Sequence, residues 1–441
     1  MKNEESLYTQ FLDFEKEHNL FNLKDSEGTY YWDIIRYDVF EALMPKNKVF
    51  IPKKQNINFF FIFKRIIQFI RLLLGISKKK YLFYISSRDK DFNGNHVDRN
   101  VIESLKIFNS KDCLIIESSY QKSKNSFFSP QGIYNKFFYR EKKNDFTYVL
   151  NTIKQKYGET NINNNFLNKI VNKYYTDLHF FIWLIKKYQI EQIHINQNGI
   201  QKGIFRAAKE LGIKTFEYQH GIVTENHIAY NYPKIDFLEE QVSLPNIIFS
   251  YAPIWFQNNF LPNVNILSLG NSFLYKQLQQ NAKKTPIRGI VVISADDIGK
   301  RLLEFLRNEK LQKEIKNIPI YFKLHPNQFH QKHYYTEQLK NFDNIKVITD
   351  EFSVGELLEI FDTLFTILST AIYEALQSQR KVILLEDDLY NGDQKSFLKY
   401  SNFYIIKKVN DFISALNTEI VTDKNVTFFA PFDKEAFFKA L

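Results

Sequence analysis

The chain has 441 residues, 44% hydrophobic and 24% charged, long enough for two cores and too apolar to be disordered. Its formal charge is +10, but the basic residues are spread along the chain and form no nucleic-acid-binding module, which excludes nucleic acid as the expected partner. Cys113 is the single cysteine, which excludes an internal disulfide and a cysteine-based zinc site.

Residues 1–78 read as an N-terminal helical extension, with "YYWDIIRYDVFEALM" its clearest helix. The first twenty residues are polar and acidic and unlike a signal peptide, so a cytoplasmic location is expected. Residues 57–76 are apolar apart from Asn58, Lys64, Arg65, Gln68 and Arg71. A helix there gathers Lys64, Gln68, Arg71 and Gly75 on one narrow face. Three cations argue against a spanning helix. Two readings stay open: a helix lying on the inner face of the cytoplasmic membrane, or one covering the core. The trailing Lys78-Lys79-Lys80 favours the membrane.

From residue 79 the pattern changes to strand, loop, helix, strand. "KKYLFYISS", "VIESLKIF" and "CLIIESS" open this rhythm, the stretch from about 120 to 185 reads as mostly helical, and "IEQIHIN", "GIQKGIFRAAKELG" and "KTFEYQHG" repeat it. This predicts a Rossmann-like domain over 79–245 and a linker region over 246–285. "GIVVIS", "IPIYFKLHP", "IKVIT", "TLFTIL" and "KVILLE" then predict strands of a second Rossmann-like domain over 286–415, and residues 416–441 read as terminal helices. The expected fold class is α/β, two Rossmann-like domains facing across a cleft, with ligands at strand carboxyl ends.

Three strand ends carry candidate chemistry. In "YFKLHPNQ" the strand Ile320–Leu324 delivers His325, and Pro326 stops the strand because it has no backbone donor. His325 and Lys323 are therefore candidates for a phosphate, the alternative being a turn histidine. In "TLFTILSTAIYEAL", Ser369 and Thr370 open a helix after a strand, where free N–H groups favour an anion, and Glu374 one turn on is placed for ribose hydroxyls. In "EYQHGIV", Gly221 permits close approach, flanked by Gln219 and His220. A neutral His220 suits removal of a hydroxyl proton, the alternative being a structural histidine.

The loop "RDKDFNGNHVDRN" offers Asp89, Asp91, His96 and Asp98 for acceptor contacts or catalysis. The acidic clusters Asp296-Asp297 and Glu386-Asp387-Asp388 read better as turns and caps than as a metal site. His325, His330 and His333 lack a fourth zinc ligand. No metal and no cofactor is expected.

The "HP" of 325–326 followed by the "ST" of 369–370, with "HG" at 220–221, resembles the GT-B-type glycosyltransferases of bacterial capsule and lipopolysaccharide assembly. The resemblance spans roughly residues 190–400 and is nearest to the CMP-sugar-using sialyl and Kdo transferase group. In outline the chain is also similar to the teichoic-acid CDP-polyol phosphotransferases. It implies that His325, Ser369 and Thr370 hold the donor phosphate. Sialyltransferases carry an acidic pair before a glycine where this chain has Gln219-His220-Gly221, whereas the polyol phosphotransferases have a histidine–glycine there, proposed as the base. The expectation is a metal-independent transferase moving a sugar from a nucleotide-activated donor to a glycan or glycolipid hydroxyl. Donor contacts come from Lys323, His325, Pro326, Ser369, Thr370 and Glu374, acceptor-side contacts from Gln219, Gly221, His96 and Asp98. His220 is the base, and Asp89 or Asp91 is the nucleophile should the reaction retain configuration. A polyol phosphotransferase and a non-catalytic, membrane-docked assembly or export protein remain alternatives.

Overall fold

The computed structural model describes residues 7–44, 59–91, 94–118, 126–197, 199–295, 298–387, 395–422 and 427–441. These fall into two compact units. The first holds 7–44, 59–270 and Phe432–Leu441, and the second holds Asn271–Pro431.

The first unit is built on a seven-stranded sheet. In chain order its strands are β1 (Tyr81–Ile85), β4 (Cys113–Glu117), β5 (Phe127–Phe128), β6 (Gln192–Asn196), β7 (Lys214–Tyr218), β8 (Ile247–Ser250) and β9 (Asn265–Ser268). They are ordered β5-β4-β1-β6-β7-β8-β9, and every pairing is parallel. The chain steps outward from β1 through β4 to β5, then returns to lay β6 on the other side of β1. A small antiparallel hairpin, β2 (Asp89–Lys90) and β3 (His96–Val97), stands between β1 and β4 in the chain. The central strands are buried at successive positions because both faces are covered, as in other parallel sheets. One covering element is the helix Asn164–Tyr188, capped at its start by Asn163, whose side chain accepts from the Phe166 amide.

The second unit has six parallel strands: β10 (Ile287–Ile293), β11 (Ile320–Lys323), β12 (Ile345–Ile348), β13 (Phe361–Thr366), β14 (Lys381–Leu385) and β15 (Phe403–Ile406). Their order is β12-β11-β10-β13-β14-β15. Again the first strand is central, and the chain reverses direction across it. The fold class is thus α/β with two Rossmann-like units.

Some sequence expectations change here. Residues 246–285 are not a linker. Ile247–Ser250 and Asn265–Ser268 complete the first sheet, and the helix Ser272–Lys283 belongs to the second unit. Their short length, four residues each, hid the pattern. The terminal helices expected over 416–441 divide between the two units. Phe412 of the helix Val409–Asn417 is buried in the second core, while Phe437 of the helix Lys434–Ala440 packs on Phe108 and Phe249 of the first. The helix expected over Val101–Phe108 reduces to Ile102–Leu105.

The described residues before 79, 7–44 and 59–78, are part of the first unit. Glu15 and Arg36, both almost fully buried, form a two-pronged ion pair, with Nε–Oε1 at 2.6 Å and Nη2–Oε2 at 2.8 Å. Trp32 Nε1 donates to the same carboxylate at 2.7 Å. No helix among the described residues is long and apolar enough to cross a membrane.

Candidate functional site

In the first unit the polar residues collect at the carboxyl edge of the sheet, where the parallel strands all end. β1 runs out into Ser86-Ser87, β4 ends on Glu117, β6 ends on Asn196, and β7 runs into Gln219-His220. Asp98, which follows the hairpin, is buried among them and accepts three hydrogen bonds. Oδ2 takes one from the Ser86 amide at 2.8 Å and one from Asn196 Nδ2 at 2.6 Å, and Oδ1 takes one from the Asn100 amide at 3.0 Å. Burial still lifts this carboxyl to about 6 against the pull of those bonds.

The Asp98 contact fixes the Asn196 amide, because a carboxylate accepts and so must face the NH2 end. The other end, Asn196 Oδ1, lies 3.2 Å from His220 Nδ1. An oxygen there requires the ring proton on Nδ1 and leaves the lone pair on Nε2. Among the described residues none hydrogen-bonds Nε2. Burial, then the Arg88 and Arg99 guanidiniums, hold the His220 imidazole down at about 4, so it is neutral at pH 7. The neighbouring Gln219 ties the loop together. Its Oε1 accepts from the Tyr251 amide at 2.9 Å and its Nε2 donates to the Gly221 carbonyl at 2.8 Å. The result is a half-buried base of defined tautomer beside two cations.

In the second unit the candidate residues stand at the carboxyl ends of the two strands that flank β10. His325 follows β11 and Ser369-Thr370 follow β13. A reversal of strand order at β10 leaves a crevice there, the usual ligand position in an open α/β sheet. His325 is exposed and caps the 3-10 helix Pro326–Gln331, with Nδ1 accepting from the Asn327 amide at 3.3 Å. In the neutral ring this places the proton on Nε2, a donor for an anionic oxygen. Ser369 Oγ accepts from the Ala371 amide at 3.1 Å, while exposed Thr370 makes no side-chain capping bond.

The His325 loop is fastened to β10 by Gln328, which is almost fully buried. Ser294 Oγ donates to Gln328 Oε1 at 2.7 Å, and Gln328 Nε2 donates to the Ala295 carbonyl at 3.1 Å and to Tyr335 at 3.2 Å. Gly299 opens the next helix against this cluster. A Cβ there would lie 2.4 Å from Ser294 Oγ and 2.5 Å from the Tyr335 hydroxyl. Gly299→Ala is therefore expected to destabilise the second unit by about 1–3 kcal/mol, measured by urea unfolding, and to weaken any ligand held by the His325 loop.

No known family profile and no curated protein matches the sequence. Among solved structures the chain is similar to the UDP-GlcNAc 2-epimerase of Methanocaldococcus jannaschii, at 13% identity over 82% of this chain and 98% of that one, with a TM-score of 0.49. It is similar to the Neisseria meningitidis UDP-GlcNAc 2-epimerase bound to UDP-GlcNAc, at 12% identity over 76% and 90%, TM-score 0.45. It is also similar to Acinetobacter baumannii MurG, at 12% identity over 77% and 89%, TM-score 0.39. The α/β class stands on the two parallel sheets themselves, and the chemistry is argued from the side chains.

Several expected site residues have other work. Lys323 Nζ donates to the Thr349 and Phe352 carbonyls, both at 2.6 Å, so it tethers the loop after β12 instead of facing a phosphate. Glu374 is only 4% exposed, because every residue of the short helix Ala371–Gln377 is buried, so its carboxylate is not presented on an open face. Asp91 accepts from the amide and side chain of Asn95 across the β2–β3 connection. Asp89 stands 3.9 Å from Arg99, one of the two cations that act on His220. His96 Nδ1 is buried without a hydrogen bond among the described residues. Pro326 is the first residue of the His325-capped turn. Glu386 pairs with Lys407 at 2.7 Å and Asp387 pairs with Arg301, while Asp296, Asp297 and Asp388 lie outside the described residues.

Sequence reasoning missed Asn196, Asn100 and Gln328. For Asn196 the available signal was a polar residue closing a parallel strand, as in "IHINQ"; Asn100 and Gln328 carry no such local signal.

Proposed function

We propose that the chain is a GT-B-type glycosyltransferase using a nucleotide-activated sugar, a CMP-sugar by preference, and a hydroxyl of a cell-surface glycan as acceptor. The observation that carries this reading is the placement of His325 and Ser369-Thr370 at the strand ends on either side of β10. In this reading the second unit holds the donor and the first supplies the base. His220 Nε2 takes the acceptor proton as the hydroxyl oxygen bonds to the anomeric carbon. The bond from that carbon to the donor phosphate oxygen breaks, and the nucleotide leaves with the electron pair. The His325 Nε2–H and the Thr370 hydroxyl are the donors for the charge that develops on it. The histidine at 220 equally suits a CDP-polyol phosphotransferase, in which the same base activates a hydroxyl for attack on phosphorus. Product analysis with both donor types separates the two.

Nucleotide binding is the direct test. CMP, CDP or UDP at a hundredfold excess over Kd is expected to stabilise the protein by about 2.7 kcal/mol, seen as a higher Tm. His325→Ala is expected to cancel that shift; because the ring also caps the Pro326–Gln331 turn, the ligand-free Tm drops slightly, and the shift is read against each variant's own ligand-free Tm. No shift with any of the three nucleotides would overturn the reading in favour of a non-catalytic assembly protein.

A further inference from the structure

The helix Phe59–Leu74 has two apolar faces, and only one of them is used by the fold. Phe69 and Leu72 are buried. The Phe69 ring lies 6.4 Å from Trp183, and the Tyr188 hydroxyl donates to the Leu72 carbonyl at 2.7 Å, so the helix is seated along Asn164–Tyr188. Gly75 allows this closeness at the helix end, where a Cβ would lie 2.6 Å from the Tyr188 hydroxyl. The other face carries Phe63, Ile66, Ile70, Leu73 and Leu74, which are 37–73% exposed. Their spacings of three, four, three and one gather them on one side of the helix. Ile76, just beyond the end, is 96% exposed. Phe138, also exposed, ends the neighbouring helix Gln131–Phe138, whose Tyr134 touches the same Trp183.

The charges on the helix and on the residues that follow it have one sign, with Asp112 and Glu191 adjoining the backbone of Lys80. Arg71 borders the stripe, and Lys78 and Lys80 follow it, all three exposed. The sequence contains no Asp or Glu from Ala42 to Arg88. A second copy of the chain seated here would oppose cation to cation, which disfavours self-association. A helix of this length spans roughly 24 Å, short of the roughly 30 Å hydrocarbon core, and it is fastened sideways to the protein. That geometry fits a helix lying in the headgroup boundary, with apolar residues in the acyl region and cations on anionic headgroups.

We propose that the outward face of the helix Phe59–Leu74 docks this protein on an anionic lipid bilayer. The proposal is independent of the reaction assigned above. The full chain is tested by sedimentation with phosphatidylcholine vesicles with and without about one third phosphatidylglycerol. Binding is expected to the anionic vesicles, to weaken with salt, and to be nearly lost on the neutral ones. Ile66→Ser with Ile70→Ser, and separately Lys78→Glu with Lys80→Glu, should each weaken binding about tenfold or more. Both pairs are exposed, so the Tm is expected to stay unchanged. Equal binding to neutral and anionic vesicles, no binding to either, or binding indifferent to both double substitutions overturns the proposal. So does a dimer in solution that Ile66→Ser with Ile70→Ser dissociates, because the face would then serve a second copy.

Discussion

His220→Ala is expected to lower turnover by about 100- to 10,000-fold while nucleotide binding stays as it was. The imidazole is a neutral ring whose lone pair is fixed on Nε2 by Asn196, and no alanine can accept a proton there. Unchanged turnover would remove His220 as base. The pH profile gives a finer reading. His220 is held at about 4 and Asp98 at about 6, so on lowering the pH Asp98 gains its proton first. A protonated Asp98 no longer obliges the Asn196 amide to point its NH2 that way, and the His220 tautomer is released. The acid limb of kcat/KM is therefore expected near pH 6.

Asp98→Asn keeps an oxygen facing Asn196 at every pH, so the limb should move down toward pH 4, where His220 itself titrates. A residue that served only the fold would leave the limb where it was. The stability sign runs opposite to activity. Asp98 binds its proton more tightly folded than unfolded, so its contribution is fully present below about pH 4, its ordinary value. It is lost as the pH rises through about 6. Activity and stability thus change in opposite directions across one window, as when a buried ionised group is kept for its role and not for the fold.

The parts legible in the sequence were those encoded locally. Apolar runs of strand length ending on His-Pro, Ser-Thr or His-Gly located β11, β13 and β7, and an α/β class followed from their alternation with helices. What stayed hidden was encoded by distance along the chain. Asp98 and Asn196 meet across a separation of 98 residues, and no spacing rule connects them. Lys323 looked like a phosphate ligand because it precedes His325, but the loop after β12 brings two carbonyls to it that no local pattern announces. Glu374 failed for a geometric reason. A helix as short as Ala371–Gln377, covered on all sides, has no solvent face for a polar residue to occupy. Which sheet claims a short strand is likewise a tertiary decision, and so Ile247–Ser250 and Asn265–Ser268 read as connection.

The second large effect is expected from Glu15→Ala, which should destabilise the first unit by about 3–5 kcal/mol, measured by urea unfolding. The loss is not the value of one contact. It is the cost of leaving Arg36 charged and buried with its carboxylate gone, at a site where Arg36 is 1% exposed. Glu15→Met with Arg36→Met removes both charges and should recover most of that stability. The double variant nevertheless discards two further bonds. Arg36 Nη1 donates to the Ile228 carbonyl and Nη2 to the Asn231 carbonyl at 3.1 Å, both on the segment that leads away from His220-Gly221. Asp33 holds the same segment through the Tyr232 hydroxyl at 2.7 Å, and Tyr230 returns a hydrogen bond to Glu217 of β7. The N-terminal helices therefore buttress the loop behind the candidate base, although the sequence presents them as an extension. The double variant is expected to regain most of the parent's stability yet turn over more slowly. Full recovery of both stability and turnover would show that the ion pair serves the core alone.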